Sequence, residues 1–98
     1  MSDRPGTLLA EEIDSEIQTD LPWNVILYND DWHPFDEVIL QVQKATGVSL
    51  EKSVEIVLEA HNKGRAVCYS GSLEECSRVA NILKEIKLHV EIDQPTAC

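Results

Sequence analysis

From Asn29 to Phe35 the chain reads NDDWHPF, which sets an amide, two carboxylates and an imidazole side by side directly after an apolar run. The Asn29 amide oxygen, the Asp30 and Asp31 carboxylates and one nitrogen of a neutral His33 ring all accept hydrogen bonds. Such a cluster suits a metal ion, an ammonium group, or the backbone N–H groups of its own turn. A second histidine, His61, ends a helical stripe of Leu50, Val54, Val57 and Leu58.

Asp30, Asp31, His33, His61 and His89 include ligand types for zinc or a harder cation. No H-x-x-x-H pair or calcium-loop spacing organises them, however, and His89 alternates with apolar residues on a face that should meet solvent. Cys68 and His61 could act as the nucleophile and base of a small hydrolase. Against this, Cys68 sits inside RAVCY at a position that strand alternation buries, where a free thiol serves as a small apolar core group. There is no nucleophile elbow, glycine-rich phosphate loop or catalytic acid pair. A plain structural alternative makes Asn29–Asp31 a strand-ending turn bonded to its own backbone, and His61 a core histidine. Taken together, the two features instead suggest a polar cluster and a histidine meeting at the rim of a hydrophobic pocket.

The surrounding pattern supplies elements that could hold such a rim. NVILY, Asn24–Tyr28, is a short β-branched run bounded by Pro22 and the polar cluster, and is expected to be a buried strand. Pro34 suits the first turn of a helix in which Phe35, Val38, Ile39 and Val42 share a face, closed by Gly47. Ser49 caps the helix that carries His61, and Lys63-Gly64 ends it. RAVCY, Arg65–Tyr69, predicts a second strand and Ser70-Gly71 a turn. Ser72 with Glu75 predicts a capping box for a third helix packing through Leu73, Cys76, Val79, Ala80 and Leu83. Leu88, Val90 and Ile92 then alternate as a half-buried strand. The expected fold is α+β: a β-α-α-β-α-β domain with a three-stranded antiparallel sheet against three helices.

Length and composition narrow the partners. With 98 residues, 43% hydrophobic and 27% charged, the chain is expected to be a single globular domain. A net charge of −10 repels a phosphate backbone, so nucleic acid is not an expected partner. Half of that charge falls in residues 1–21, an expected flexible acidic extension, followed by a domain over 22–94 and a short tail over 95–98. Cys68, Cys76 and Cys98 form neither a disulfide framework nor a zinc pattern, which fits a reducing compartment. With no apolar run near the roughly 18 residues of a membrane span and no signal-peptide pattern, a protein of the cytoplasm or an organelle stroma is expected, monomeric, without cofactor and without a membrane partner.

Over Trp23–Asp93 the sequence resembles the ClpS family, adaptors of AAA+ Clp proteases. Three motifs carry the resemblance in order: NDD after an apolar strand, the helix start HPFDEV, and VLEAHNKGRAVC with His61. It implies a non-enzymatic protein that binds the free α-amino group and bulky side chain of a substrate's first residue, Phe, Tyr, Trp or Leu. The substrate is then delivered to the N-terminal domain of a ClpA- or ClpC-type unfoldase, the N-terminal extension engaging that unfoldase. By the same resemblance the ammonium contacts fall on Asn29, Asp30, Asp31 and His61. The hydrophobic pocket falls on Leu27, Phe35, Val38, Val57, Ala60 and Leu88, with His33 near the ligand backbone. An extended chain through Asp31 would turn Asn29 and Asp31 to one side, favouring Asp31 over Asp30 for direct contact; a turn there removes that preference. Phe35 and Ala60 stand where the family more often has Met or Val, so side-chain preference is the property most open to change. A metal-dependent or cysteine enzyme, or a docking module that does not read N-termini, are the alternatives.

Overall fold

The computed structural model describes residues 21–94; the expected acidic extension, apart from Leu21, and the expected C-terminal tail lie outside them. Strand β1 (Trp23–Tyr28) is followed by helices α1 (Phe35–Thr46) and α2 (Leu50–Lys63), strand β2 (Arg65–Gly71), helix α3 (Leu73–Lys84) and strand β3 (Val90–Asp93). The sheet has the order β2-β1-β3 and both pairings are antiparallel. The expected class and element order are therefore observed.

Its central place explains why β1 is apolar at three consecutive positions. Val25 and Leu27 face the helices and Ile26 the other side, yet all three are buried because strands flank β1 on both edges. Between Val25 and Ile26 the pairing shifts from Tyr69 to Val67, leaving Cys68 as the extra residue of a bulge. On the helix side the core joins Val25, Leu27, Ala66, Cys68 and Val90 to Val42 of α1, Ile56 of α2 and Val79 and Leu83 of α3.

Local chemistry sets the helix ends. Ser49 and Ser72 accept hydrogen bonds from the N–H groups of Lys52 and Glu75, each at 3.1 Å. The α3 box is only half made, because the Glu75 carboxylate accepts from the Tyr69 hydroxyl at 3.2 Å. Pro34 occupies the cap position just before α1 rather than its first turn. Ser70 and Gly71 continue β2 and form no turn, and Leu73 at the start of α3 is exposed.

The largest departure from the sequence pattern is the orientation of α2. Leu50, Val54, Val57, Leu58 and His61 share one stripe in the sequence, but the buried residues are Ser53, Ile56, Val57 and Ala60. Small side chains explain the rotation. Ser53 brings α2 close enough to α1 to donate its hydroxyl to the Ile39 carbonyl at 2.6 Å, and Ala60 leaves no bulk at the sheet end of the helix. His61 is consequently exposed rather than a core histidine.

Candidate functional site

The end of β1, the start of α1 and the last turns of α2 converge on a cleft lined by Leu27, Tyr28, Asn29, Asp30, Phe35, Val38, Val57 and Ala60. Leu27, Val38, Val57 and Ala60 form its buried apolar wall. Asn29 and Asp30 supply its polar edge. The Phe35 ring, 42% exposed, meets the His61 ring edge-on, with centroids 5.1 Å apart and planes at 82°. His61 thus stands on the rim.

Gly64 ties the two halves of this rim together. It ends α2 at φ 93°, with its N–H bonded to the Ala60 carbonyl, and its own carbonyl accepts the Asn29 N–H at 2.9 Å. The left-handed turn that closes the helix of His61 therefore fixes where Asn29 leaves β1. Nothing lies within 4 Å of where a Cβ would be. Gly64→Ala should accordingly cost only backbone strain, about 1–2 kcal/mol, read as a lower unfolding midpoint in denaturant.

Beyond Asn29 the chain bends, which removes the premise that favoured Asp31. Asp30 turns its carboxylate back into the loop, where Oδ1 accepts from the N–H groups of Trp32 (2.5 Å) and His33 (3.1 Å) and Oδ2 lies 2.7 Å from Nδ1 of His33. Asp31 is exposed and lies outside the cleft lining; its Oδ1 accepts from the Asn29 amide nitrogen at 3.3 Å, which leaves the Asn29 oxygen to face other donors. His33 and Leu88 are also absent from the lining: His33 clasps Asp30, and Leu88 is part of the core. Tyr28 lines the cleft and was not anticipated; as the last residue of β1, immediately before the polar cluster, it was the position to suspect.

The Asp30–His33 clasp shifts both groups. Burial raises the Asp30 pKa, but hydrogen bonds from Trp32 and His33 outweigh it, so the carboxyl titrates below its ordinary 3.8. The hydrogen bond to Asp30 holds His33 above its ordinary 6.5, against an opposing effect of burial, with Asp30 and Glu37 adding attraction and the Ile86 carbonyl a further hydrogen bond. The lowered Asp30 contributes stability that is present above 3.8 and lost as pH falls through its folded value. The raised His33 contributes stability that is full below 6.5 and lost as pH rises through its folded value. Melting temperatures of the parent and Asp30→Asn should therefore differ most between about pH 4 and 6.5. A difference that keeps growing up to pH 9 would remove His33 from the account.

No group of three His, Cys, Asp or Glu side chains among the described residues could hold a metal ion. Burial pushes the Cys68 thiol up to about 12, so it has almost no thiolate at neutral pH. No helix of the described residues is long and apolar enough to cross a membrane.

Residues 18–95 match the family model of the ATP-dependent Clp protease adaptor protein ClpS. The chain belongs to the ClpS family. A ClpS adapter from Vibrio atlanticus (strain LGP32) is 32% identical over 96 residues, covering 96% of this chain and 87% of the relative. One from Streptomyces coelicolor is 38% identical over 69 residues, covering 70% and 72%. Among solved structures, Agrobacterium tumefaciens ClpS2 bound to L-phenylalaninamide superposes with a TM-score of 0.71, covering 76% of this chain and 98% of the other. At 18% identity that likeness establishes the ClpS fold. The match places this chain in a family of Clp protease adaptors.

Proposed function

We propose that this ClpS-family adaptor binds, in the cleft, the free α-amino group and bulky hydrophobic side chain of a substrate's N-terminal residue. As a monomer in the cytoplasm or a stroma, it then passes the substrate to the N-terminal domain of a ClpA- or ClpC-type unfoldase. Residues 22–94 form the recognition domain, and the acidic N-terminal extension engages the unfoldase.

One observation carries this reading: hydrogen-bond acceptors stand at the mouth of an apolar cleft, with His61 on its rim. A terminal amine has a pKa of about 8 and at neutral pH is an ammonium with three donors and no acceptor. The Asn29 oxygen and a ring nitrogen of neutral His61 accept from it directly. Asp30, already receiving three hydrogen bonds, and Asp31 contribute compensating charge, which a desolvated ammonium requires. The ligand of the Agrobacterium tumefaciens protein, L-phenylalaninamide, has this chemistry, a free α-amino group beside a phenyl side chain.

As it stands the cleft encloses about 10 Å³, whereas a cavity of about 150 Å³ accommodates benzene. A ring therefore enters only when another group moves. Phe35 is that group: it lines the cleft, is partly exposed and meets His61 edge-on. A stiff aromatic gate crowds side chains branched at Cβ, so Phe, Tyr and Trp should be preferred to Leu, and Ile and Val should bind poorly.

Titration with a Phe-start peptide and its N-acetylated twin tests the proposal, since acetylation removes the charge and two of the three donors. The free peptide should bind at least about tenfold tighter, the loss of roughly one charged hydrogen bond. Equal affinities would leave a docking module that does not read N-termini.

A further inference from the structure

The rotation of α2 leaves an apolar stripe uncovered. Leu50 is 54% exposed and Leu58 42%, with Val54 half-buried between them. With His61 these residues follow one another at i, i+4, i+8 and i+11 along a single side of the helix. The stripe ends at the His61–Phe35 contact on the rim of the cleft. It is therefore continuous with the mouth through which the rest of a bound chain must leave.

Its flank is acidic. Glu51, Glu55 and Glu59, all exposed, run along the next side of α2, a row that Lys63 closes at the C-terminal end, and Lys52 pairs with Glu55 across 3.6 Å. Both partners of that pair are more than half exposed, so it neutralises little of the field. From Leu50 to His61 the helix rises about 16 Å, the span of roughly five extended residues.

We infer that this stripe is a second recognition surface for the substrate, seating the residues at about positions 2–6 and favouring segments in which apolar side chains alternate with basic ones. Alternation follows from strand geometry: every second side chain meets Leu58, Val54 or Leu50, and the intervening ones reach the glutamates. The inference rests on the reading that the first residue occupies the cleft. Chains that share a first residue would then be sorted by the residues behind it.

The test uses the full chain and four fluorescently tagged peptides. Three begin with Phe and carry Leu/Lys alternation, Gly/Ser, or Ser/Glu at positions 2–6; the fourth is the N-acetylated Leu/Lys peptide. The Leu/Lys peptide should bind about tenfold tighter than the Gly/Ser one, and the Ser/Glu peptide more weakly than both, as expected for burying part of one or two leucine side chains. In the Leu50→Ser/Leu58→Ser variant, which alters exposed positions and should keep its melting temperature, that advantage should vanish while Gly/Ser affinity stays unchanged. Glu51→Gln/Glu55→Gln should narrow the gap between Leu/Lys and Ser/Glu without touching the core.

Several results would overturn the inference. One is no ranking by positions 2–6, or a ranking that survives the double serine variant. Another is a serine variant that loses self-association in sedimentation, or unfoldase-domain binding, with the peptide ranking intact; the stripe would then belong to a second copy or to the unfoldase. The acetylated peptide separates the two levels of the argument. If acetylation weakens binding but positions 2–6 do not matter, the stripe alone is excluded. If acetylation has no effect, the N-terminal reading itself fails.

Discussion

Leu27→Ala should bring the domain close to unfolding and thereby remove the proposed peptide binding as well. Leu27 is 1% exposed, pairs with Ala66 on one neighbour and Val90 on the other, and forms part of the cleft wall. Truncating a buried leucine costs about 2–5 kcal/mol, the upper part of that range applying where the surroundings cannot collapse. Here collapse is resisted, because both flanking strands are fixed by the backbone ladder and the helices above are pinned by the Ser53–Ile39 hydrogen bond. A domain of this length has roughly 4–11 kcal/mol in total, so a single methyl in place of an isobutyl group consumes a large share. The denaturation midpoint in urea should fall by about 2 M with little change in slope, given a small domain's slope of about 1–2 kcal/mol/M. A shift below about 0.5 kcal/mol would mean that the core is not closed around β1.

That sensitivity bears on how the site is built. Its apolar wall is the same set of side chains that holds the domain together, so those residues cannot be probed for binding without disturbing stability. The polar half is different. Asn29, Asp31 and His61 are exposed, and their truncation leaves no buried donor or acceptor unsatisfied. The proposed recognition chemistry is therefore separable from the fold at the mouth of the cleft and inseparable from it at the floor.

Much of this architecture was legible in the sequence because its signals are local. The uninterrupted apolar run of β1 implied a buried strand, the serines at 49 and 72 marked two helix starts, and glycines 47 and 64 marked two ends. What misled was periodicity without knowledge of the neighbour. On α2 the stripe of Leu50, Val54 and Leu58 defines a plausible core face, yet packing selects the face of Ser53, Ile56 and Ala60, where two small side chains permit close approach. The acceptor cluster shows the same limit. Whether Asp30 or Asp31 approaches the cleft depends on whether the strand continues past Asn29, and that is settled by the three donors that draw the Asp30 carboxylate inward. Leu88 continues the alternation of Val90 and Ile92 but precedes β3, and is buried in the core. None of these outcomes has a signature within a few residues of sequence.

His61→Ala should do the reverse of Leu27→Ala, sparing stability while weakening binding about thirtyfold. The imidazole is exposed and its described contact is the edge of Phe35, so its loss removes little packing; alanine, the better helix former, offsets part of that loss. Melting temperature should therefore barely move. On the proposed function, the same ring supplies an acceptor to the ammonium of the N-terminal residue. Without it one N–H of a charged donor is left unpaired in a partly desolvated site, a loss of about 2 kcal/mol, which is about thirtyfold in affinity. Two controls tie the effect to that hydrogen bond. His61→Gln keeps an acceptor at a similar reach and should recover part of the affinity, whereas His61→Phe keeps the ring contact with Phe35 and should recover none. The N-acetylated peptide, which has no ammonium to donate, should bind the parent and His61→Ala alike. If instead all three variants bind the free-amine peptide as tightly as the parent, His61 is only a lid over Phe35 and the acceptor must be sought at Asn29; if the acetylated peptide loses affinity in parallel with the free one, the residue shapes the cleft rather than contacting the amine.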